Sequence, residues 1–170
     1  MNLLEVSNLA SQLMAQYSLD GWSFAFNKNK RRLGVCKQDS KRIELSAVFA
    51  ERNSSEQVVD TILHEIAHAL VGVCHGHDRR WKDMCLALGC NPEACSDEAQ
   101  MPVGYWQARC PCCRTLFARH RRPTSLRGRY CGPCGPEKGT LTFADVRVPR
   151  QKRSSVSIDG EVQQLVLKLF

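Results

Sequence analysis

Between Val58 and Val71 the chain is apolar around nearly the whole circumference of a helix, yet His64, Glu65 and His68 sit in its middle. Val58, Ile62, Ile66 and Leu70 form one stripe at helical spacing, and Val59, Leu63, Ala67 and Val71 form another, which predicts a buried helix. Asn53-Ser54-Ser55-Glu56-Gln57 starts it, with cap residues followed three places on by an acidic or amide side chain. Gly72 and Gly76 mark its end. Two imidazoles and a carboxylate on such a helix need partners, because burying polar groups without them is costly.

A metal ion is the partner that fits this spacing. Residues four apart lie about 40° from eclipsed on one helix face, so His64 and His68 can aim ring nitrogens at one ion, roughly 2.0–2.1 Å away for zinc. Glu65 is rotated by about 100° from His64 and can reach a water on that ion without ligating it, as a general base must. A catalytic zinc takes three protein ligands and keeps one position open. The third ligand is drawn from His75 and His77, beside Gly76, which lets the backbone turn; His120 suits the role less well.

A second cluster lies downstream. Cys110-Pro111-Cys112-Cys113 and Cys131-Gly132-Pro133-Cys134 are Cys-x-x-Cys knuckles separated by 17 residues, the spacing of a structural zinc ribbon. Cys110, Cys113, Cys131 and Cys134 are assigned as its ligands and Cys112 as the spare, since a register using Cys112 spoils the first knuckle. Cys36, Cys74, Cys85, Cys90 and Cys95 read as small apolar core or loop residues. Met1-Asn2-Leu3-Leu4-Glu5 opens without a basic stretch and apolar run, and no segment approaches the roughly 20 apolar residues that span a bilayer. The expectation is a cytoplasmic protein with reduced cysteines, and no membrane partner.

The net charge of +7 is uneven. Residues 1–108 carry 11 basic and 13 acidic side chains, residues 109–153 carry 12 and 2, and residues 154–170 carry 1 and 2. Arg114, Arg119, His120, Arg121, Arg122, Arg127 and Arg129 lie between the knuckles with no acid among them, and Arg147, Arg150, Lys152 and Arg153 follow. Solvated charge runs usually mix signs; this one does not, and phosphate is its natural partner. No base-reading helix is evident, so the expected partner is DNA recognised by shape or strand, single-stranded or junction-containing. Phe117 and Tyr130 are candidates for stacking on bases or for the core.

Leu3, Val6, Leu9, Ala10, Leu13 and Tyr17 predict a first helix stopped by Asp20-Gly21. Trp22 to Phe26, then Leu33 with Val35 and Ile43 with Leu45, predict strands, with a turn at Asn27-Lys28-Asn29-Lys30. Trp81 to Leu88 reads as a third helix closed by Gly89, and Asn91 to Gln100 as a linker. The predicted fold class is α+β: helices on a short, mostly antiparallel sheet over residues 1–105, a small β zinc ribbon over 106–148, and a tail over 149–170.

The run His64-Glu65-Ile66-Ala67-His68-Ala69-Leu70-Val71-Gly72, followed by Gly76-His77-Asp78-Arg79-Arg80-Trp81-Lys82, resembles the SprT-like zinc metalloprotease family, which includes the Spartan proteases. The resemblance extends from about Trp22 to Phe143 and includes the four-cysteine ribbon. It implies a zincin-like fold and His77, in its Gly-His-x-x-x-aromatic context, as the third ligand. It further implies two zinc ions, one catalytic and one structural, and cleavage of proteins bound or crosslinked to DNA. A counterpart of the Spartan ubiquitin-binding tail is not evident. In that chemistry zinc polarises the scissile carbonyl and acidifies a water, while Glu65 takes the proton and passes it to the leaving amine. Substrate is expected to lie extended along an exposed strand, Ile43 to Ser46.

Two other functions compete with this one. In a non-catalytic nucleic-acid-binding zinc protein the histidine site is structural, against which Glu65 and the three-ligand set stand. A peptidase of general turnover leaves the basic ribbon superfluous. The last segment, Gln164-Leu165-Val166-Leu167-Lys168-Leu169-Phe170, resembles the Gln-x-x-Leu-x-Leu-Phe motif that docks bacterial replication and repair proteins on the DNA sliding clamp. By chance such a match arises on the order of once in several hundred chains. Gln164 would orient the segment while Leu167, Leu169 and Phe170 fill a groove, giving a nucleoid-associated location in a bacterium or phage-infected cell. The competing reading is a final strand, in which Leu165, Leu167 and Leu169 alternate and pair with Val156 and Ile158.

Overall fold

The computed structural model describes residues 1–93, 98–125 and 128–147. The chain divides into two compact units, Met1–Gly104 and the residues from Tyr105 onward. Both helices and small sheets are present, so the class is α+β. Among the described residues no helix is long and apolar enough to cross a membrane.

The first unit begins with α1 (Leu3–Gln16), started by a capping box in which the Asn2 side chain and Glu5 exchange bonds with each other's main chain. Its buried stripe is Val6, Ala10 and Met14. Strands β1 (Ser23–Asn27), β2 (Gly34–Lys37) and β3 (Arg42–Ser46) follow. Their spatial order is β1-β3-β2, with β1 parallel and β2 antiparallel to β3.

This sheet is therefore mixed, where the sequence reading expects mostly antiparallel pairing. The cause is the connection over residues 28–33: it carries the chain past a vacant slot to the far edge, and a tight turn before β3 then folds the next strand into that slot. Ile43 to Ser46 consequently lies in the central strand, buried and paired on both sides, and is not an exposed strand open to a substrate.

A short helix not foreseen from sequence, α2 (Ala47–Arg52), is capped by the Ser46 hydroxyl at 3.3 Å from the Phe49 N–H. Helix α3 (Ser55–Val71) starts with a Ser54/Gln57 capping box and stops at Gly72, whose φ of 96° suits only glycine. Val58, Ile62, Ile66 and Ala67 are fully buried, whereas Leu70 is exposed near the helix end, off the stripe to which its spacing assigns it. A single 3-10 turn at Val73–His75 leads to α4 (Arg79–Leu88), capped by Asp78 and closed by Gly89 in the left-handed conformation. The core joins Val6 and Ala10, Ile43 and Leu45, Phe49, the α3 stripe, Trp81 and Cys85.

The second unit is smaller. Strands β4 (Trp106–Arg109), β5 (Leu116–Arg119) and β6 (Ala144–Asp145) form an antiparallel sheet in the order β5-β4-β6, and a four-residue helix α5 (Gly135–Lys138) precedes β6. Ala108, Leu141 and Phe143 with Cys110 and Cys131 are its buried core. A core of that size is too slight for independent stability without a staple.

Candidate active site

His64 and His68 face the same side of α3, as their spacing requires, and the turn through Gly76 (φ 52°) brings His77 back to them. Nε2 of His77 lies 3.2 Å from Nε2 of His64 and 3.2 Å from Nε2 of His68. Ligand nitrogens roughly 2.0–2.1 Å from a tetrahedral ion stand about 3.3 Å apart, so the three imidazoles fit a metal such as zinc. Burial pushes the pKa of both His64 and His68 down to about 4, helped by repulsion from neighbouring imidazoles, and keeps them neutral and metal-ready near pH 7.

His75 does not join the cluster. Its Nδ1 is 2.8 Å from the Asp78 carboxylate, which also accepts the main-chain N–H of Trp81 at 3.1 Å. Asp78 thus fixes the start of α4 and with it the position of Trp81. That indole is fully buried, with ring centroids 4.6, 5.3 and 4.5 Å from His64, His68 and His77. It forms a common wall behind all three rings, a role that local periodicity does not announce. His120 belongs to the second unit.

Glu65 is buried at 6 % exposure, and desolvation raises its carboxyl to about 8, opposed by a hydrogen bond from the Cys36 main chain. Gly34 lies so close that a methyl group there would stand 2.6 Å from Glu65 Oε1. With His64, His68 and His77, these groups line a cleft of about 570 Å³. The Leu33 carbonyl accepts the Ser46 N–H of β3 at 2.7 Å. Strand alternation then turns the main chain of Gly34 and Cys36 away from β3, toward Glu65. Neither residue stands out in the sequence, although a glycine inside a strand often marks a close approach.

In the second unit the sulfurs of Cys110, Cys113, Cys131 and Cys134 all lie within 4.8 Å of one another, with Cys113 and Cys131 at 3.6 Å. Zinc–sulfur bonds of roughly 2.3 Å place tetrahedral ligands about 3.8 Å apart, so this set fits a metal as well. Arg114 (φ 62°) turns the first knuckle, and its N–H reaches the Cys110 carbonyl at 3.0 Å. The Thr115 hydroxyl, 3.1 Å away, is the main cause of a Cys113 thiol pulled down to about 6. Cys112 is exposed and outside the set.

The arginines named from sequence are mostly exposed, and three stack on aromatic rings. The guanidinium of Arg119 lies 5.7 Å from the Phe143 ring centroid, that of Arg122 lies 5.5 Å from Trp106, and that of Arg147 lies 5.4 Å from Tyr105. Arg129 donates to the Ser125 carbonyl at 2.8 Å, and Arg114 and Arg121 are exposed. Phe117 packs against the small core, whereas Tyr130 is 49 % exposed. Arg127, Cys95, Arg150, Lys152, Arg153 and the segment with Gln164, Leu167, Leu169 and Phe170 lie outside the described residues.

Fold and site together define an α+β protein with a three-histidine candidate metal centre beside a buried glutamate. Residues 4–100 match the model of the SprT-like family. The protein named Protein SprT from Glaesserella parasuis serovar 5 (strain SH0165) is 30% identical over 115 residues, 61% of this chain and 73% of that protein. The chain belongs to the SprT-like family.

Proposed function

We propose that the chain is a zinc-dependent endopeptidase of zincin-like fold that acts on proteins bound or crosslinked to DNA. The observation that carries this reading is the convergence of three imidazole nitrogens at one point with Glu65 beside them in an open cleft. His64, His68 and His77 would hold the ion. Once bound, zinc supplies Lewis acidity to the scissile carbonyl and to a water.

The protein's own groups do the rest. Glu65 accepts a proton from the attacking water and returns it to the leaving amine. Burial raises its carboxyl in the metal-free chain, and a dication held by the three histidines would lower it again, so that the group is ionised to take the proton and is poised to give it back. Gly34 and the Cys36 main chain keep the carboxylate in place, and the outward-turned main chain of β2 offers pairing to an extended polypeptide irrespective of its sequence.

The second unit reads as a zinc ribbon held by Cys110, Cys113, Cys131 and Cys134. Its arginines bind DNA and tether the protease there, with aromatic rings orienting Arg119 and Arg122 toward phosphate. The Gln164–Phe170 segment is read as a sliding-clamp ligand that delivers the chain to replicating DNA. A non-catalytic zinc protein would have no use for a base lodged in the cleft. The test is cleavage of a DNA-bound protein by the zinc-loaded chain with and without DNA. No cleavage by protein holding two zinc ions would refute the reading.

A further inference from the structure

Four of the eleven basic side chains of the first unit stand together in one short loop. Lys28, Lys30, Arg31 and Arg32 fall within five consecutive residues, and no acid occurs between Asp20 and Asp39. These residues form the connection from β1 to β2 across the end of β3. Its backbone is fixed by side chains other than the cationic ones. Asn27 Oδ1 accepts the Asn29 N–H at 2.9 Å, Asn29 Oδ1 accepts the N–H groups of Arg31 and Arg32 at 2.9 and 3.2 Å, and the Ser46 hydroxyl donates to the Asn29 carbonyl at 2.6 Å. Ser46 is fully buried, so the loop is pinned to the core.

Three of the cationic side chains, those of Lys28, Arg31 and Arg32, are left for something else. Among the described residues Lys28, Arg31 and Arg32 have no ion-pair partner, whereas Lys37 on the adjoining strand is held by Glu44 at 2.5 Å. Arg31 and Arg32 are exposed and line the same cleft as His64, Glu65, His68 and His77. We infer that the loop Lys28–Arg32 is a phosphate-contacting surface on the protease unit, which seats a DNA strand at the mouth of the cleft. The inference rests on the reading of the chain as acting on DNA-bound proteins, and it places nucleic acid beside the scissile peptide as well as on the ribbon. An acidic polypeptide would also meet Arg31 and Arg32, but within the cleft it would face Asp60, Glu93 and Glu65. A phosphodiester strand running along the loop outside the cleft avoids them.

The experiment uses five forms of the full-length zinc-loaded chain: the parent, Arg31→Ala with Arg32→Ala, Arg31→Glu with Arg32→Glu, a ribbon variant (Arg119, Arg121 and Arg122 to Ala), and the combination of the two alanine sets. Each is titrated against fluorescein-labelled single- and double-stranded oligodeoxynucleotides across a range of salt. Removing two phosphate contacts should flatten the log–log salt slope by about 1.4 for single strands or 1.8 for duplex, and the combination should bind more weakly than the ribbon variant. Arg31→Glu with Arg32→Glu should weaken binding further. Thermal midpoints should match the parent, since these side chains hold nothing in the fold. A loop variant with parental affinity and slope, beside a ribbon variant that loses both, overturns this inference and leaves the DNA-bound reading standing. A parent that binds neither oligonucleotide overturns both. A loop variant altered only in its discrimination between acidic and neutral peptides shows a substrate side-chain subsite instead and also overturns the inference.

Discussion

Gly34 and Glu65 are packed so that no side chain fits between them: a Cβ at position 34 would stand 2.6 Å from Oε1, 2.8 Å from Cγ and 3.0 Å from Cδ of the glutamate. Gly34 is not among the residues with positive φ, so alanine suits its backbone and the conflict is purely steric. Gly34→Ala should therefore displace the carboxylate. We expect a stability loss of about 1–3 kcal/mol and a fall in peptide cleavage on the order of 10²-fold, with zinc content unchanged. Denaturant unfolding, kinetics and metal analysis check this, and full activity in the alanine variant would remove Gly34 from any role in placing the base.

Glu65→Gln separates base from ligand. The variant should keep two zinc ions per chain and lose cleavage by about 10²–10⁴-fold. Loss of one zinc on this substitution would instead make Glu65 a ligand.

The same substitution has a pH signature in metal-stripped protein. Burial lifts the Glu65 carboxyl from 4.5 to about 8, so between those values the folded state binds more protons than the unfolded one. Its contribution to stability is full below about pH 4.5 and is lost as pH rises through about 8. Relative to the parent, Glu65→Gln should gain stability across that window, by about 1.4 kcal/mol for each step of one in pH. His64 and His68 act in the opposite sense at lower pH, but in both proteins, so the difference between the two reports Glu65. Parallel stability curves would contradict the burial of an ionisable carboxyl at this position.

Cys112 and Cys113 are adjacent, but only Cys113 belongs to the four-sulfur set. Cys113→Ser should cost one equivalent of zinc and loosen the second unit, whose buried core is otherwise small. Cys112→Ser should leave zinc content and unfolding unchanged. The reverse pattern in metal analysis would shift the knuckle's register.

For the tail, a chain ending at Gln163 should lose retention on an immobilised bacterial sliding clamp while keeping its zinc and its peptidase activity. Equal retention of full-length and shortened chains would leave only the strand reading.

What the sequence reveals depends on how local each feature is. His64, Glu65 and His68 are legible because helical geometry alone places them, and Ser54 with Gln57 writes the helix start into adjacent residues. His77 is harder: its approach depends on the turn at Gly76, and only the family resemblance separates it from His75, which the structure turns to Asp78. The sheet order is not written locally at all, since nothing in Lys28 to Leu33 says that β3 will fill the slot between β1 and β2. That non-local pairing is why Ile43 to Ser46 reads as an exposed strand and is found at the centre. Helix α2 is too short to show a period, and Leu70 has the spacing of the stripe but is exposed, while Ala69 and Val71 on either side of it are buried. Gly34 and Trp81 act through contacts with residues on other elements, which no spacing rule reports.

Trp81 also gives the centre an optical gauge. Because its indole touches all three imidazoles, an ion entering among them changes the surroundings of a fluorophore already in place. Loading the chain with zinc should shift the indole emission, and loading it with paramagnetic cobalt should quench it. Trp22 and Trp106 also emit, so the difference that Trp81→Phe abolishes is the part that reads occupancy, with no dye, substrate or turnover required.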